Sequence, residues 1–162
     1  MKSMAFLIGL FASMLCLQGC SRDDTPNFQH MKLPQTKNYY LVCPAKYCNV
    51  SPNEISPVYP VSAEDLYNAF NHIISQESRV NFVYSIPEQG QFQLIQKSLI
   101  LGFPDDIAVQ FIALSDNTST LAIYSKSRYG YYDFGVNKRR VTQWLEQLKK
   151  TAVISNNVSN NS

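Results

Sequence analysis

Residues 141–148 read Val-Thr-Gln-Trp-Leu-Glu-Gln-Leu, and this stretch has the clearest structural pattern in the chain. Its apolar residues recur at i, i+3, i+4 and i+7 and are Val141, Trp144, Leu145 and Leu148. That spacing places them on one face of an α-helix, which turns once in about 3.6 residues. The sequence therefore predicts an amphipathic final helix whose apolar face must be covered by the rest of the domain.

Four strands are predicted before this helix. Turn residues separate them in pairs, at Pro87-Glu88-Gln89-Gly90 and at Asp116-Asn117-Thr118. Short connections of this kind join antiparallel neighbours. The predicted strands, chosen for their apolar alternation, cover residues 79–86, 91–101, 107–114 and 121–127.

Another helix is predicted before the strands. Ser62 is a suitable N-cap, and the two acids that follow Ala63 suit the positive end of the helix dipole. Leu66, Phe70 and Ile73 then recur at helical spacing, and the helix should end near Glu77. The order helix, four strands, helix predicts an α+β domain in which both helices pack on one face of a four-stranded, mostly antiparallel sheet.

The N-terminus has the pattern of an export signal. Lys2 precedes an apolar run over residues 4–17, which is shorter than the roughly 20 residues that span a membrane. The following Leu17-Gln18-Gly19-Cys20 resembles the lipobox of bacterial lipoproteins, whose cysteine receives the lipid. We therefore predict a lipoprotein signal peptide over residues 1–19. The lipid on Cys20 would then anchor the protein to a membrane. Ser21 resembles the residue that favours sorting to the outer membrane over the inner membrane.

The remaining chain has room for one domain. Residues 20–40 are polar and contain prolines, which predicts a lipidated, flexible tether. A single globular domain is expected over residues 41–152, followed by a disordered tail over 153–162 that is rich in Asn and Ser. The formal net charge of the full chain is only +2, so the basic excess of a nucleic-acid-binding protein is missing and no nucleic-acid partner is expected.

Cys43 and Cys48 form the remaining cysteine pair, and export would place them in an oxidising compartment. A disulfide between them is the favoured interpretation. A redox motif would more often have C-x-x-C spacing, and a zinc site would need two further ligands nearby. We therefore predict a disulfide and no metal site.

The segment 125–140 concentrates polar residues before the final helix. Asp133 or Asn137 can cap the helix, whereas Lys138, Arg139 and Arg140 lie where the dipole disfavours cations. Three explanations remain open: an internal network with nearby acids, an anion bound between two arginines and the helix N–H groups, and a basic patch that faces lipid headgroups. The candidate binding or network residues are Asp105, Asp106, Ser127, Arg128, Asp133, Asn137 and Arg140.

The order of these residues resembles a known family. Arg128-x-Gly130-x-x-Asp133-x-Gly135-Val136-Asn137-x-x-Arg140 follows Phe103-x-Asp105-Asp106 and the cysteine segment that begins at Cys43-Pro44. This pattern resembles the uncharacterised bacterial and plastid domain of unknown function family 1499, over about Leu41 to Lys150. Cys48-Asn49-Val50-Ser51-Pro52 departs from the Asn-Cys-Val-Ser-Ser-like run of that family. The resemblance supports the domain boundary and the motif, but it does not supply a reaction.

For function, we predict no catalytic residue and no cofactor. The favoured hypothesis is a non-enzymatic periplasmic domain that binds an envelope protein or a small anionic ligand through residues 128–140. The alternative is an envelope hydrolase that uses Asp105, Asp106 and Asp133. For the aromatic run that contains Tyr129, Tyr131, Tyr132 and Phe134, we expect alternate members to fill the interface between sheet and helix.

Overall fold

The computed structural model describes residues 26–99 and 102–159 and shows two helices against a mixed sheet. The sheet has six strands in the order β2-β1-β6-β5-β4-β3, and β1 pairs parallel with β2 whereas the other neighbours pair antiparallel. The elements are β1 (Tyr39–Cys43), β2 (Glu54–Ile55), α1 (Ala63–Ser75), β3 (Val80–Ile86), β4 (Gln91–Lys97), β5 (Pro104–Ser115), β6 (Thr118–Ser127) and α2 (Val136–Ser159), with a 3₁₀ turn at Pro87–Gln89.

The α+β class is confirmed, but the predicted number of strands is wrong. The four predicted strands correspond to β3 to β6, and the structure adds β1 and β2. Strand β1 is buried on both faces, so its side chains lack the polar alternation that marks a half-buried strand. Strand β2 has only two residues, and its pairing with β1 comes from tertiary contacts rather than from a local pattern.

Both helices cover one face of the sheet, where they form the main core. Ser62 caps α1 as predicted, because its Oγ accepts a hydrogen bond from the Asp65 N–H at 3.0 Å. The rings of Phe70 on α1 and Trp144 on α2 meet edge to face with centroids 5.7 Å apart. Each ring is almost fully buried, so the apolar faces of the two helices pack against one another as well as against the sheet.

The other face of the sheet is partly covered by the segment before β1. Phe28 and Met31 are each only 5% exposed and pack with Leu41 and Ala122. The predicted tether over 20–40 therefore overlaps packed structure from residue 26 onward. Nearby, the predicted disulfide between Cys43 and Cys48 is present, with Cα atoms 6.2 Å apart.

The C-terminal end of the described chain differs from the predicted boundary at residue 152. Helix α2 continues to Ser159, so residues 153–159 are helical where a disordered tail was predicted. A helix already held by packing extends at little further cost, because its nucleus has formed. The predicted signal peptide, Cys20 and residues 160–162 lie outside the described residues. Within the described part of the chain, no helix is long and apolar enough to cross a membrane.

Candidate functional site

Arg140 lies in a buried hydrogen-bond network beneath the first turn of α2. Its guanidinium donates to Asp105 Oδ2 at 2.6 Å, and the side chains of the two residues are only 7% and 2% exposed. The other acceptors are Ser125 Oγ at 2.9 Å, Asn137 Oδ1 at 2.8 Å and Gln96 Oε1. Because this charge is paired and hydrogen-bonded inside the domain, it is not presented to an external anion. We call Gln96, Asp105, Ser125, Asn137 and Arg140 the buried network.

Asn137 connects the buried network to the N-terminal segment. Its Nδ2 donates to the Asn38 carbonyl at 3.0 Å, to Ser127 Oγ at 3.1 Å and to Asp133 Oδ2 at 2.8 Å. Asn38 in turn donates from Nδ2 to the Ser127 carbonyl at 3.0 Å. Asn137 and Asn38 are both buried, so the network joins α2, β6 and the chain before β1.

Asp133 caps the start of α2. The sequence had offered Asp133 or Asn137 for this position. Its carboxylate accepts hydrogen bonds from the N–H groups of Gly135 at 3.1 Å and Asn137 at 2.8 Å. These are the helix N–H groups that the anion-binding explanation, one of the three left open, assigned to an external anion. An internal carboxylate therefore takes that place, and it also suits the positive end of the helix dipole.

Arg128 and Asp106 form a separate pair on the opposite face of the sheet. Arg128 Nη2 lies 2.7 Å from Asp106 Oδ1, and Arg128 Nε donates to Oδ2 at 2.8 Å. Their side chains are 44% and 41% exposed. Hydrogen bonding to Asp106 raises the pKa of the Arg128 guanidinium, although partial burial opposes this, so the group stays cationic. Neighbouring strand residues point to opposite faces, which is why Asp105 enters the buried network and Asp106 does not.

An open groove of about 790 Å³ lies on this second face, between the sheet and the N-terminal segment. Its size is in the range of small-molecule sites. We call it the open-face groove. It is lined by apolar or aromatic groups and by a few charged or polar ones: Pro26, Lys32, Leu33, Pro34, Val83, Gln93, Ile95, Asp106, Ile107, Ala108, Tyr124, Lys126 and Arg128.

The charges of the groove are unbalanced. Lys32, Lys126 and Arg128 face one carboxylate, Asp106, which Arg128 already binds. Among the described residues, neither lysine has a carboxylate within salt-bridge distance. Burial, together with the nearby Tyr39, raises the pKa of the Tyr124 hydroxyl to about 12, so this phenol is a neutral hydrogen-bonding group in the groove. The groove thus combines an apolar lining with excess positive charge.

The aromatic residues of the β6–α2 connection do not fill the interface between sheet and helix, so that prediction is wrong. Tyr129, Tyr131, Tyr132 and Phe134 are between 56% and 79% exposed. The space beneath α2 is instead occupied by strand residues of the main core and by the buried network. These aromatic side chains are left at the surface.

The three carboxylates of the hydrolase alternative are each held by a different group. Asp105 binds Arg140, Asp106 binds Arg128, and Asp133 binds the start of α2. This arrangement does not supply the free acid–base pair that the alternative needs. The part of the chain that the structure describes also contains no cluster of three or more His, Cys, Asp or Glu residues that could hold a metal.

The sequence reasoning missed several site residues, and some of them left a signal. Gln96 follows Phe92 and Leu94 at a spacing of two, so it is a polar residue in the buried phase of β4. Asp105 likewise lies two residues before the buried Ile107 on β5. The positions of Gln96 and Asp105 therefore indicated a buried polar contact. Lys32 and Leu33 gave no such signal, because they lie in the segment that was predicted to be a tether.

These features define an α+β domain in which two helices cover one face of a mixed sheet, a buried Arg–Asp network supports the second helix, and a basic, partly apolar groove occupies the other face. The chain belongs to a family of proteins of unknown function, DUF1499, whose model matches residues 22–148. That match includes Phe28 and Met31, which pack on the groove face of the sheet.

No curated protein matches the chain. A similar solved structure is the di-domain ARO/CYC protein BexL from the BE-7585A biosynthetic pathway, with a TM-score of 0.44 and 10% sequence identity over 59% of this chain and 44% of that one. The chain therefore spans less than half the length of that protein.

Proposed function

We propose that the protein is a periplasmic lipoprotein, anchored through Cys20 and favouring the outer membrane, whose domain binds a small anionic ligand without catalysis. The observation that carries the binding proposal is the open-face groove, where Lys32 and Lys126 have no acidic partner among the described residues. The cations of residues 128–140 thus fall into two groups: Arg140 supports the fold, and Arg128 belongs to the proposed binding surface.

The lining of the groove indicates the ligand's chemistry. Val83, Ile95 and Ala108 provide an apolar wall, and Lys126 and Arg128 provide positive charge. A carboxylate or phosphate group beside these cations would form charge-assisted hydrogen bonds, which are stronger than neutral ones. The ligand class that fits is therefore an anion that carries an apolar portion.

Calorimetric titration with dodecanoate, kept as monomers, tests this function. All the packing described above lies within residues 26–159, so a chain that begins at Ser21 keeps it complete. We expect saturable binding to this chain, and Lys126→Gln should weaken it by on the order of tenfold, the cost of one charge-assisted hydrogen bond. Lys150→Gln is the matched control, because Lys150 is an exposed lysine on α2.

A second probe separates charge recognition from apolar binding. Dodecyltrimethylammonium has the same chain length with a positive headgroup, and it should bind more weakly than dodecanoate. Equal affinity for the two probes, or unchanged dodecanoate affinity in Lys126→Gln, would show that the lysine does not select the ligand. No saturable binding of dodecanoate would refute the proposed groove function.

A further inference from the structure

A surface of exposed aromatic rings surrounds the connection between β6 and α2. Four of the rings belong to residues 128–135, which we call the aromatic loop. Phe103 from the β4–β5 connection joins them, because its ring centroid lies 5.7 Å from that of Tyr129. Tyr132 and Phe134 also contact each other edge to face at 5.3 Å. These two pairs place several exposed rings within one short segment and its neighbour, and clustered apolar side chains mark interaction sites more often than single exposed residues do.

The backbone at Phe134 adds a second observation. Phe134 has a φ of 54°, in the left-handed region that bulky residues rarely adopt, and its side chain is 79% exposed. Such a conformation costs a non-glycine residue about 1 kcal/mol or more. The turn allows Asp133 to cap α2, but the exposed ring makes no core contact in return, so folding does not explain a phenylalanine at this position.

Cations surround the same loop. Lys37, Arg128, Lys138 and Arg139 are exposed there, and Lys37 is held against the loop by a hydrogen bond from its N–H to the Tyr131 carbonyl at 2.8 Å. Lys138 and Arg139 lie in the first turn of α2, where the helix dipole disfavours positive charge. Within residues 26–99 and 102–159, neither of these two has a carboxylate at salt-bridge distance.

We propose that this aromatic and basic surface docks on the headgroup region of an anionic phospholipid bilayer. Tyrosine and phenylalanine rings are accommodated where headgroups meet acyl chains, and nearby Lys and Arg side chains are attracted to lipid phosphates. The local charges complement such a surface: among the described residues Lys37, Lys138 and Arg139 have no carboxylate at salt-bridge distance, Asp106 is paired with Arg128, and Asp133 caps α2. This inference goes beyond ligand binding in the groove, with which the docking surface shares Arg128 and Asp106 but none of its aromatic rings.

The start of the packed chain lies on the same side of the domain. Pro26 lines the groove together with Arg128, which directly precedes Tyr129. If Cys20 is lipidated, as the proposed function has it, only residues 21–25 separate it from Pro26, and the six chain steps from Cys20 to Pro26 span at most about 20 Å. An anchor that short keeps the aromatic loop close to the bilayer.

Sedimentation with lipid vesicles tests docking without the anchor. The chain that begins at Ser21 should bind vesicles of phosphatidylglycerol and phosphatidylethanolamine better than vesicles of phosphatidylcholine alone, and added salt should weaken binding. Tyr131→Ala with Phe134→Asn should weaken partitioning to the anionic vesicles by on the order of tenfold, and Lys138→Gln with Arg139→Gln by a similar factor. Phe134→Asn should also raise the stability of the domain, because asparagine tolerates the left-handed region better than phenylalanine.

Matched controls identify the surface. Leu114→Ala removes an exposed apolar side chain at the far end of β5, and Lys150→Gln removes an exposed charge later in α2. Both should bind vesicles like the unmodified chain, as should Lys126→Gln, so a failed groove and a failed docking surface are distinguishable. No binding to anionic vesicles, or equal losses in control and loop variants, would overturn the proposal.

Discussion

Asp105 and Asp106 are neighbours in the chain with opposite environments. Asp105 is 2% exposed and binds Arg140 under α2, whereas Asp106 binds Arg128 at the surface of the groove face. At the residue scale, strand alternation decides this difference, because successive side chains leave opposite faces of β5. Two similar ion pairs therefore have different consequences for stability.

Removing Arg140 should destabilise the domain far more than removing Arg128. Arg140→Met leaves Asp105 buried without its partner, which costs about 3–5 kcal/mol. Arg128→Met breaks an exposed pair, for which about 1 kcal/mol or less is expected. Denaturant unfolding of both variants measures the difference, and a double-mutant cycle with Asp105→Asn should show coupling. Equal, small losses would mean that the buried network does not support the fold.

At the scale of elements, the sequence predicts best what depends on local patterns. The cap at Ser62 and the spacing of Val141, Trp144 and Leu148 are local, and both helices form as predicted. Strands β1 and β2 depend on pairing with distant residues. The same limit applies to the site: capping by Asp133 could be predicted, but which acid meets Arg140 depends on how β5 lies beneath α2.

Tyr124 on strand β6 should make the stability of the domain depend on pH in the alkaline range. Burial raises the pKa of the Tyr124 hydroxyl from 10.0 to about 12 in the folded chain. The folded state therefore retains a proton that the unfolded state loses, so stability is complete below pH 10.0 and falls as the pH rises to about 12. Tyr40, whose pKa is also raised to about 12 by burial and by its hydrogen bond to Glu54, contributes to the same fall.

Tyr124→Phe isolates the contribution of this phenol. Its free energy of unfolding, measured by denaturant titration across the alkaline range, should fall less steeply with pH than that of the unmodified chain. The Tyr40 contribution remains in both chains and serves as the internal reference. Identical pH profiles would mean that Tyr124 is not shielded from solvent by the N-terminal segment.

On the scale of the whole molecule, the two faces of the sheet have separate roles. The helix face contains the main core and the buried network, and the other face carries the groove and the segment that begins at Pro26. The aromatic loop lies where the two meet, since Asn137 and Asn38 join the start of α2 to that segment. If the proposed groove function holds, variants of the helix face should change stability and variants of the groove face should change binding.

The most direct test of groove binding is a nuclear magnetic resonance titration of the chain that begins at Ser21 with monomeric dodecanoate. We expect saturable amide shifts at Gln93, Ala108, Tyr124 and Lys126, and no change in the Arg140 Nε–H signal, because that group is buried and bound to Gln96. Shifts centred instead on residues 135–140, or the absence of saturable shifts, would contradict the assignment of the groove as the binding site.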